Sequence, residues 1–303
     1  MPDGGGTSGW SLTNTGTGAT LEGSARADIL TGGAGNDTLT VRGAGVDTLT
    51  GGGGNDLFQL VSATATITDL GGGDNLQVLF NPGTANATLA ANWTSNNATF
   101  IEGTANVDTA GFNIDFSVVG TLNRGVKLTN SSSTGSIMIG TTLADSITGG
   151  TGADTLTGGG GADTFGSGNN LGAVGQGVGR TATTLDSNVA AGQTVTFGNG
   201  ADRIADFAQG TDKLDVTQGA TAPSSLIAVN ATQAGSNGTT FVLYGTYVVA
   251  TGIFTAAAAF NATTAADALV VQGDGTTVLN SAANTGWIVL TGLASALTSS
   301  DFV

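Results

Sequence analysis

The sequence predicts an all-β protein that contains parallel β-solenoid segments together with additional β-strand regions. The first observation is a nine-residue unit, G-G-x-G-x-D-x-U-x with U apolar, which occurs in four full copies that start at Gly32, Gly51, Gly149 and Gly158. The second is that the other apolar stretches are short or alternate with polar residues, which is typical of strands. Such stretches lie at residues 65–68, 76–80, 112–116, 136–139 and 194–197.

Each part of the nine-residue unit has a physical reason. The glycines allow the positive φ angles of a sharp turn, and they let a backbone carbonyl approach a cation where a Cβ would intervene. The aspartate adds a carboxylate, and Ca²⁺ takes six to eight such hard oxygen ligands, about half of which one turn can supply. Two stacked turns would therefore complete a site. The apolar residue of each unit is predicted to point inward from a short strand, namely Leu39, Leu49, Phe58, Ile147, Leu156 and Phe165.

The candidate calcium ligands are the aspartates and the carbonyl-bearing glycines of these turns. In the first cluster they are Asp28, Gly32, Gly33, Gly35, Asp37, Gly43, Gly45, Asp47, Gly51, Gly52, Gly54 and Asp56. In the second they are Asp145, Gly149, Gly150, Gly152, Asp154, Gly158, Gly159, Gly161, Asp163 and Asp202. A flexible glycine-rich linker would not keep an aspartate and an apolar residue in register, so the repeats indicate folded turns.

These two clusters, residues 23–59 and 140–166, resemble the RTX, or hemolysin-type, calcium-binding repeat of secreted bacterial proteins, which implies a calcium-filled β-roll. Two departures occur in the first cluster: Arg42 replaces the first glycine before Gly43, and Val41 adds a residue to the nine-residue step. The leading units, Gly23–Asp28 and Gly140–Asp145, keep the aspartate and lose most glycines, as end repeats of a stack do. We expect these two units to be weaker ligands.

A second resemblance follows each cluster. The stretch Ile204–Val216 resembles the "I-x-D-F-x-x-G-x-D-x-L" segment that often follows RTX repeats, and Ile67–Leu76 is a version one residue shorter between its aspartates. The chain is therefore predicted to hold two related modules, each a repeat cluster with a closing segment. A long exposed loop is expected between Gly166 and Phe197.

These patterns divide the chain into three predicted parts. Residues 1–139 hold the first cluster and a β region, and residues 140–222 hold the second cluster, the loop and the closing segment at 198–216. Residues 223–303 form a C-terminal β region. One short helix is predicted near 255–268, where alanine is frequent.

Composition excludes several classes of function. The net charge is −15, with seven Lys and Arg against 22 Asp and Glu, so binding to nucleic-acid phosphates is not expected. No apolar run is long enough to cross a bilayer, and the first residues lack the features of a signal peptide. The C-terminal sequence ending in Asp301, Phe302 and Val303 resembles the uncleaved signal of type I secretion. The resemblance implies partnership with that secretion machinery and a location outside the cell.

The residue content also argues against an enzyme. The chain has no His and no Cys, which excludes Ser-His-Asp triads, H-E-x-x-H zinc sites and catalytic thiols. Glu22, Glu102 or one of the aspartates could in principle serve glycoside hydrolysis, but calcium-binding or turn-forming aspartates explain the pattern better. We therefore expect no catalytic residues.

The leading expectation is a secreted, calcium-dependent structural protein that assembles with copies of itself on the bacterial surface, as in S-layer proteins with RTX repeats. It rests on the Thr, Ala, Gly and Asn content and on the scarcity of Lys. A cell-surface polysaccharide is a further expected partner. One alternative is the type I secretion and folding module of a larger exoprotein. Another is a calcium-dependent adhesin that binds carbohydrate through the aromatic side chains of Trp10, Trp93, Tyr244, Tyr247 and Trp287.

Overall fold

The computed structural model describes residues 9–150, 152–166, 194–196, 202–215, 226–228, 240–272 and 287–303. The chain divides into two compact units. The first comprises Met1–Thr129 with Ile139–Asp145, and the second comprises Asn130–Met138 with Ser146–Val303. The regular secondary structure of the described residues is almost entirely β, as the sequence predicted, and its one helical element is a 3-10 turn at Ser299–Asp301. No helix in this part of the chain has the length and apolar character to cross a membrane.

The strands are numbered in chain order. The first fourteen are β1 (Ser11–Thr13), β2 (Thr20–Glu22), β3 (Ile29–Ala34), β4 (Thr38–Arg42), β5 (Val46–Gly53), β6 (Leu57–Val61), β7 (Thr64–Gly72), β8 (Asn75–Leu79), β9 (Thr84–Thr94), β10 (Phe100–Ile101), β11 (Thr104–Asp108), β12 (Ile114–Asp115), β13 (Thr121–Leu122) and β14 (Lys127–Thr129). The others are β15 (Ile137–Ile139), β16 (Ser146–Thr148), β17 (Thr155–Thr157), β18 (Thr164–Gly166), β19 (Thr194–Thr196), β20 (Asp202–Ile204), β21 (Lys213–Asp215), β22 (Leu226–Ala228), β23 (Thr240–Val248), β24 (Ile253–Ala256), β25 (Asp267–Gln272) and β26 (Trp287–Leu290).

The first unit is a parallel β-solenoid with two sheets. The first sheet runs in the order β1, β3, β5, β7, β9, β11 and β14, and the second runs β2, β4, β6, β8, β10 and β13, with every pair parallel. The chain alternates between the sheets, so one solenoid turn contains two strands and two tight turns. Consecutive turns place Leu12 opposite Leu30 and Leu30 opposite Leu49. Two nine-residue units therefore make one turn, with one extra residue where Val41 is inserted.

The solenoid core consists of stacked columns of the inward residues. Leu30, Leu49 and Ile67 align in the first sheet, and Leu39 aligns with Phe58 in the second. All of these side chains are fully buried, which confirms the predicted direction of the apolar residues in the units. Burying each such side chain stabilises the fold by about 1.5–3 kcal/mol. At the end of the first unit, Trp93 packs edge-on against Phe116 with 5.0 Å between ring centroids.

The second unit combines solenoid strands with an antiparallel sheet. Strand β16 pairs in parallel with β18, and β18 with β21, while β17 pairs with β20. Ile147, Leu156 and Phe165 are fully buried in these strands, as predicted. The antiparallel part places β23 between β24 and β25, and β25 pairs with β26, which in turn pairs in parallel with β20.

The C-terminal tail forms a further layer on β21. Leu214 bridges in parallel to Phe302, whose side chain is buried, and the Val303 N–H donates to the Leu214 carbonyl at 3.0 Å. The carboxylate of Asp301 accepts the Gly210 N–H at 2.8 Å. The segment with the predicted secretion signal therefore lies against the closing segment.

The helix predicted near 255–268 is wrong. Residues 253–256 form β24, which pairs with β23 through Gly245 and Ala256, and β25 begins at Asp267. Between them the Asn261 side chain accepts the N–H groups of Thr263 and Thr264, which fixes a turn. Strand pairing overrides the high helix propensity of alanine here, because propensity contributes less than about 1 kcal/mol per residue. The predicted loop between Gly166 and Phe197 lies outside the described residues, except for β19.

Candidate metal centres

The repeats form tight turns between the two sheets. We call Gly32–Asp37, Gly43–Asp47, Gly51–Asp56, Gly149–Asp154 and Gly158–Asp163 the repeat turns. The leading units Gly23–Asp28 and Gly140–Asp145 are the opening turns, and Asp69–Asp74 and Asp206–Asp212 are the closing turns. In the first unit, strand register stacks the turn at residues 32–37 on that at 51–56, and the turn at residues 23–28 on that at 43–47. Stacked turns can therefore contribute oxygen ligands to the same ion.

The glycines are needed for contact between stacked turns. Gly52 has φ of +96°, and a Cβ on it would lie 1.9 Å from the Gly33 carbonyl oxygen of the preceding turn. Gly54 has φ of +128°, and a Cβ there would lie 2.4 Å from the carbonyl oxygen of Gly35. Carbonyl oxygens of one turn thus approach the backbone of the next, where only glycine leaves room for them.

The first glycine of a repeat turn makes room for the carboxylate instead. A Cβ on Gly51 would lie 2.2 Å from Asp56 Oδ2, and one on Gly158 would lie 2.2 Å from Asp163 Oδ2. Gly149 makes room for two carboxylates, because a Cβ on it would lie 2.8 Å from Asp202 Oδ2 and 3.0 Å from Asp154 Oδ2. The unit therefore places a carboxylate oxygen over the glycine backbone five residues earlier.

The aspartates form ladders from one solenoid turn to the next. The Asp37 N–H donates to Asp56 Oδ1 at 2.8 Å, and the Asp28 N–H donates to Asp47 Oδ1 at 2.8 Å. The second unit has the same arrangement, with the N–H of Asp154 donating to Asp202 Oδ1 at 2.9 Å and that of Asp163 donating to Asp212 Oδ1 at 3.0 Å. One carboxylate oxygen of each acceptor is thus held by the backbone, which fixes the direction of the other oxygen.

Three of the predicted ligands have a buried oxygen without a partner. Asp37, Asp47 and Asp154 are each at most 2% exposed, and the Oδ2 atom of each accepts no hydrogen bond. A buried unpaired carboxylate oxygen is costly, so each of these atoms is suited to a cation. The aspartate of the turn altered by Arg42 is among them, and Gly43 there keeps φ of +98°.

The carboxylates of these turns are destabilised as anions by burial and by one another. Burial raises the pKa of Asp47 and Asp56 above the ordinary value, and nearby carboxylates add to the effect. Burial likewise raises the pKa of Asp74 and of Asp154 to about 6, and raises that of Asp145. Within the described residues the one ion pair joins Arg42 to Glu22 at 2.9 Å, so it neutralises none of these aspartates.

The opening turns satisfy their carboxylates internally. Asp28 Oδ2 accepts the Ser24 N–H at 2.6 Å, and Asp145 Oδ2 accepts the Thr141 N–H at 2.6 Å. The hydroxyls of the same Ser and Thr donate to both carboxylate oxygens at 3.0–3.2 Å. Whether Asp28 and Asp145 also bind calcium stays a prediction.

Two asparagines belong to the turns and escaped the sequence analysis. Asn14 Nδ2 donates to Asp37 Oδ1 at 3.0 Å, and Asn130 Nδ2 donates to Asp154 Oδ1 at 2.9 Å. Their signal in the sequence is a repeated L-T-N triplet at residues 12–14 and 128–130, where the repeats have L-T-G. Asn14 therefore belongs to a turn that stacks on the repeat turn of Asp37, and Asn130 belongs to one that stacks on the repeat turn of Asp154.

The donor set fits calcium better than a metal held by side chains alone. The described residues contain no group of three or more Asp, Glu, His or Cys side chains placed to hold one ion. A site must therefore combine one or two carboxylates with backbone carbonyls, which are the hard oxygen ligands that Ca²⁺ accepts in large number. The unpaired Oδ2 atoms and the glycine carbonyls of the stacked turns supply both kinds, so the residues fit the ion.

The turns and strands define the protein as a β-solenoid with stacked, acidic, glycine-rich turns. Comparison with protein families identifies which known repeat the nine-residue units match. The family model of the RTX calcium-binding nonapeptide repeat matches in four copies, at residues 14–41, 43–59 and 139–170. The matched residues include both clusters, and Ca²⁺ is the ion that a match to this repeat implies. No curated protein matches the chain in a sequence comparison.

Proposed function

We propose that this protein is a secreted, calcium-binding structural protein that folds when calcium fills its RTX turns and then assembles with copies of itself. The observation that carries the assembly step is the outer face of the first sheet. Its outward side chains form one column at Thr13, Thr31, Thr50 and Thr68, followed beyond the register shift after Ile67 by Thr88, Asp108 and Thr129, and a second column at Ser11, Ile29, Thr48, Thr66, Asn86, Asn106 and Lys127. We call this surface the threonine face.

The threonine face suits contact with a second copy because it is nearly uncharged. Asp108 and Lys127 are its only charged residues, and interface cores are depleted in charge because buried charges lose hydration. Its polar side chains satisfy one another along the columns, with Thr50 Oγ1 2.8 Å from Thr68 Oγ1 and Asn106 Nδ2 donating to Asn86 Oδ1 at 2.8 Å. Ile29 and Val46 add exposed apolar area at this face.

Folding is coupled to the ion through the same aspartates. When bound, calcium supplies positive charge and a coordination shell for closely spaced carboxylates. Without it, the buried and partnerless oxygens of Asp37, Asp47 and Asp154 oppose folding of the turns. A chain that stays unfolded in the calcium-poor cytosol is suited to passage through a type I secretion channel. A calcium-rich exterior then favours the folded state by mass action. No catalytic step is part of this proposal.

The alternative of an adhesin that stacks sugars on aromatic rings has less support. Trp93 is 1% exposed and its indole N–H donates to the Asp74 carbonyl at 2.9 Å. Tyr244 is buried as well, and its hydroxyl accepts the Leu297 N–H. Trp10 is partly exposed, at 38%. The side chain of Trp287 lies outside the described residues.

The test is particle size by light scattering and electron microscopy while calcium is raised from chelator to about ten millimolar. Growth into ordered sheets or filaments is the expected result. The change Thr66→Lys places a charge between the uncharged Thr48 and Asn86 of the threonine face and is expected to lower assembly more than a hundredfold, since a buried unpaired charge costs several kcal/mol. Thr121→Lys, at an exposed threonine of the second sheet, is the matched control. A wild-type chain that folds with calcium yet stays monomeric overturns the assembly proposal and favours a secretion module of a larger exoprotein.

A further inference from the structure

The closing turns resemble repeat turns in which a peptide N–H has replaced the ion. Asp74 Oδ1 is held by the ladder, as in the repeat turns, but its Oδ2 accepts the Gly71 N–H at 2.9 Å. Asp212 does the same in the second unit, where its Oδ2 accepts the Ala208 N–H at 2.8 Å. Both turns are also closed by backbone hydrogen bonds, from the Asp74 N–H to the Gly71 carbonyl at 3.0 Å and from the Asp212 N–H to the Ala208 carbonyl at 2.8 Å. The Oδ2 atom that has no partner in Asp37, Asp47 and Asp154 is thus satisfied in Asp74 and Asp212.

A second aspartate in each closing turn holds the preceding repeat turn. Asp69 Oδ1 accepts the Gly51 N–H at 2.9 Å and Oδ2 accepts the Gly52 N–H at 2.7 Å. Asp206 makes the same pair of contacts with Gly158–Gly159, at 2.9 and 2.8 Å. Two charge-assisted hydrogen bonds to adjacent N–H groups fix the orientation of the peptides between them. The paired glycines of the last repeat turn are therefore held in place by a side chain of the next layer.

Strand register explains why the repeat stack ends at these residues. Leu49 lies opposite Ile67, and Leu156 lies opposite Ile204. Asp69 comes two residues after Ile67, just as Gly51, the first glycine of its repeat turn, comes two residues after Leu49. In the second unit, Asp206 comes two residues after Ile204 in the same way. An aspartate thus stands where a further repeat would have its first glycine. Because that glycine must leave room for the carboxylate oxygen of its own turn, an aspartate there stops the series.

We propose that the opening and closing turns are metal-free ends of each calcium stack, in which protein hydrogen bonds take the place of the ion. This proposal rests on the proposed calcium-binding function. Asp74 and Asp212, with Asp28 and Asp145 in the opening turns, are structural residues that hold no ion. Asp69 and Asp206 are positioning residues, which fix the last glycine pair for ligation before the ion arrives.

The test counts ions in isosteric variants of the whole chain by native mass spectrometry at a fixed calcium concentration. Asp37→Asn and Asp154→Asn are expected to hold fewer calcium ions than the wild type. Asp74→Asn and Asp212→Asn are expected to hold as many as the wild type. Asp69→Ala is expected to weaken calcium binding about tenfold by calorimetry without lowering the ion count, because it removes two hydrogen bonds to a charged group.

A second measurement does not depend on the folding of any variant. Anomalous scattering from crystals of the wild-type chain grown with calcium should place ions near the repeat turns and none within bonding distance of Asp74 or Asp212. An ion bound to either residue, or an ion count that falls in their Asn variants as it does in Asp37→Asn, overturns the proposal. A wild-type chain that binds no calcium at all overturns the calcium-binding function itself, which is a separate and recognisable result.

Discussion

Replacing Gly51 by alanine should weaken one calcium turn without any strain in the backbone. Gly51 does not have a positive φ, so alanine can adopt its backbone conformation. Its Cβ, however, would lie 2.2 Å from Asp56 Oδ2 and 2.8 Å from Asp56 Cγ. Because ordinary contacts between such atoms are at least 3 Å, the carboxylate must move by roughly 1 Å. The substitution therefore acts on the ligand and leaves the chain path alone.

The expected cost follows from overpacking in a closely packed site. Such insertions cost about 1–3 kcal/mol, which corresponds to calcium binding about 5- to 150-fold weaker at this turn. The matched control is Gly53→Ala in the same turn, where an added Cβ meets no atom within 4 Å. Its register partner in the stacked turn is already alanine, Ala34. This control should bind calcium normally and gain up to about 1 kcal/mol of stability from a less flexible unfolded chain.

Calcium affinity by calorimetry and thermal unfolding at saturating calcium measure both variants. If Gly51→Ala binds calcium as tightly as Gly53→Ala, then the carboxylate of Asp56 does not need the space above Gly51. The argument that the first glycine serves the ligand, and with it the assignment of Asp56 as a ligand, would then be refuted.

Three further results are expected. Asp154→Ala should abolish much of the β structure that calcium induces, measured by circular dichroism, because it removes a buried oxygen suited to the ion; unchanged induction would contradict its role. Leu49→Ala should lower the free energy of unfolding in urea by about 2–5 kcal/mol at saturating calcium, since Leu49 is fully buried; a loss below 1 kcal/mol would argue against a packed core. The metal-free chain should lose stability as pH rises from about 4 to about 6, because the folded-state pKa of Asp74 and Asp154 is raised to about 6 and protonation favours the folded form. Circular dichroism in chelator across this pH range tests it: the fraction of folded chain should fall as pH rises, and a fraction that increases instead would contradict it.

The periodic features of the fold were predictable from the sequence. Inward residues such as Leu39 and Phe58 could be identified because a strand alternates its faces and the unit repeats its apolar residue at a fixed distance from Asp. The positions of the turns followed from glycine, which marks them by its conformational freedom. The closing segments were recognisable as a pair, because Ile67–Leu76 and Ile204–Val216 share the same spacing of Ile, Asp and Leu within one residue.

The helix predicted at 255–268 shows where local sequence fails. Alanine has the highest helix propensity, but propensity contributes less than about 1 kcal/mol per residue. A strand that pairs with β23 buries Phe254 fully, which outweighs that preference. The partner strand β23 ends at Val248, just before β24 begins at Ile253, so the two strands form a hairpin that the alanine content of residues 255–268 does not reveal.

The sequence by itself determined the repeat, its turns and the residues that could ligate calcium, because these depend on spacing along the chain. Only the tertiary structure decided which of these aspartates keep a carboxylate oxygen without a hydrogen-bond partner. Asp37 and Asp74 both follow glycine-rich stretches, yet one has a buried partnerless oxygen and the other is satisfied by the Gly71 N–H. The role of Asp69 likewise depends on its hydrogen bonds from Gly51 and Gly52, which lie 18 and 17 residues earlier in the chain. Hydrogen-bond partners of a carboxylate are set by which turn stacks on it, and stacking is a property of the folded solenoid.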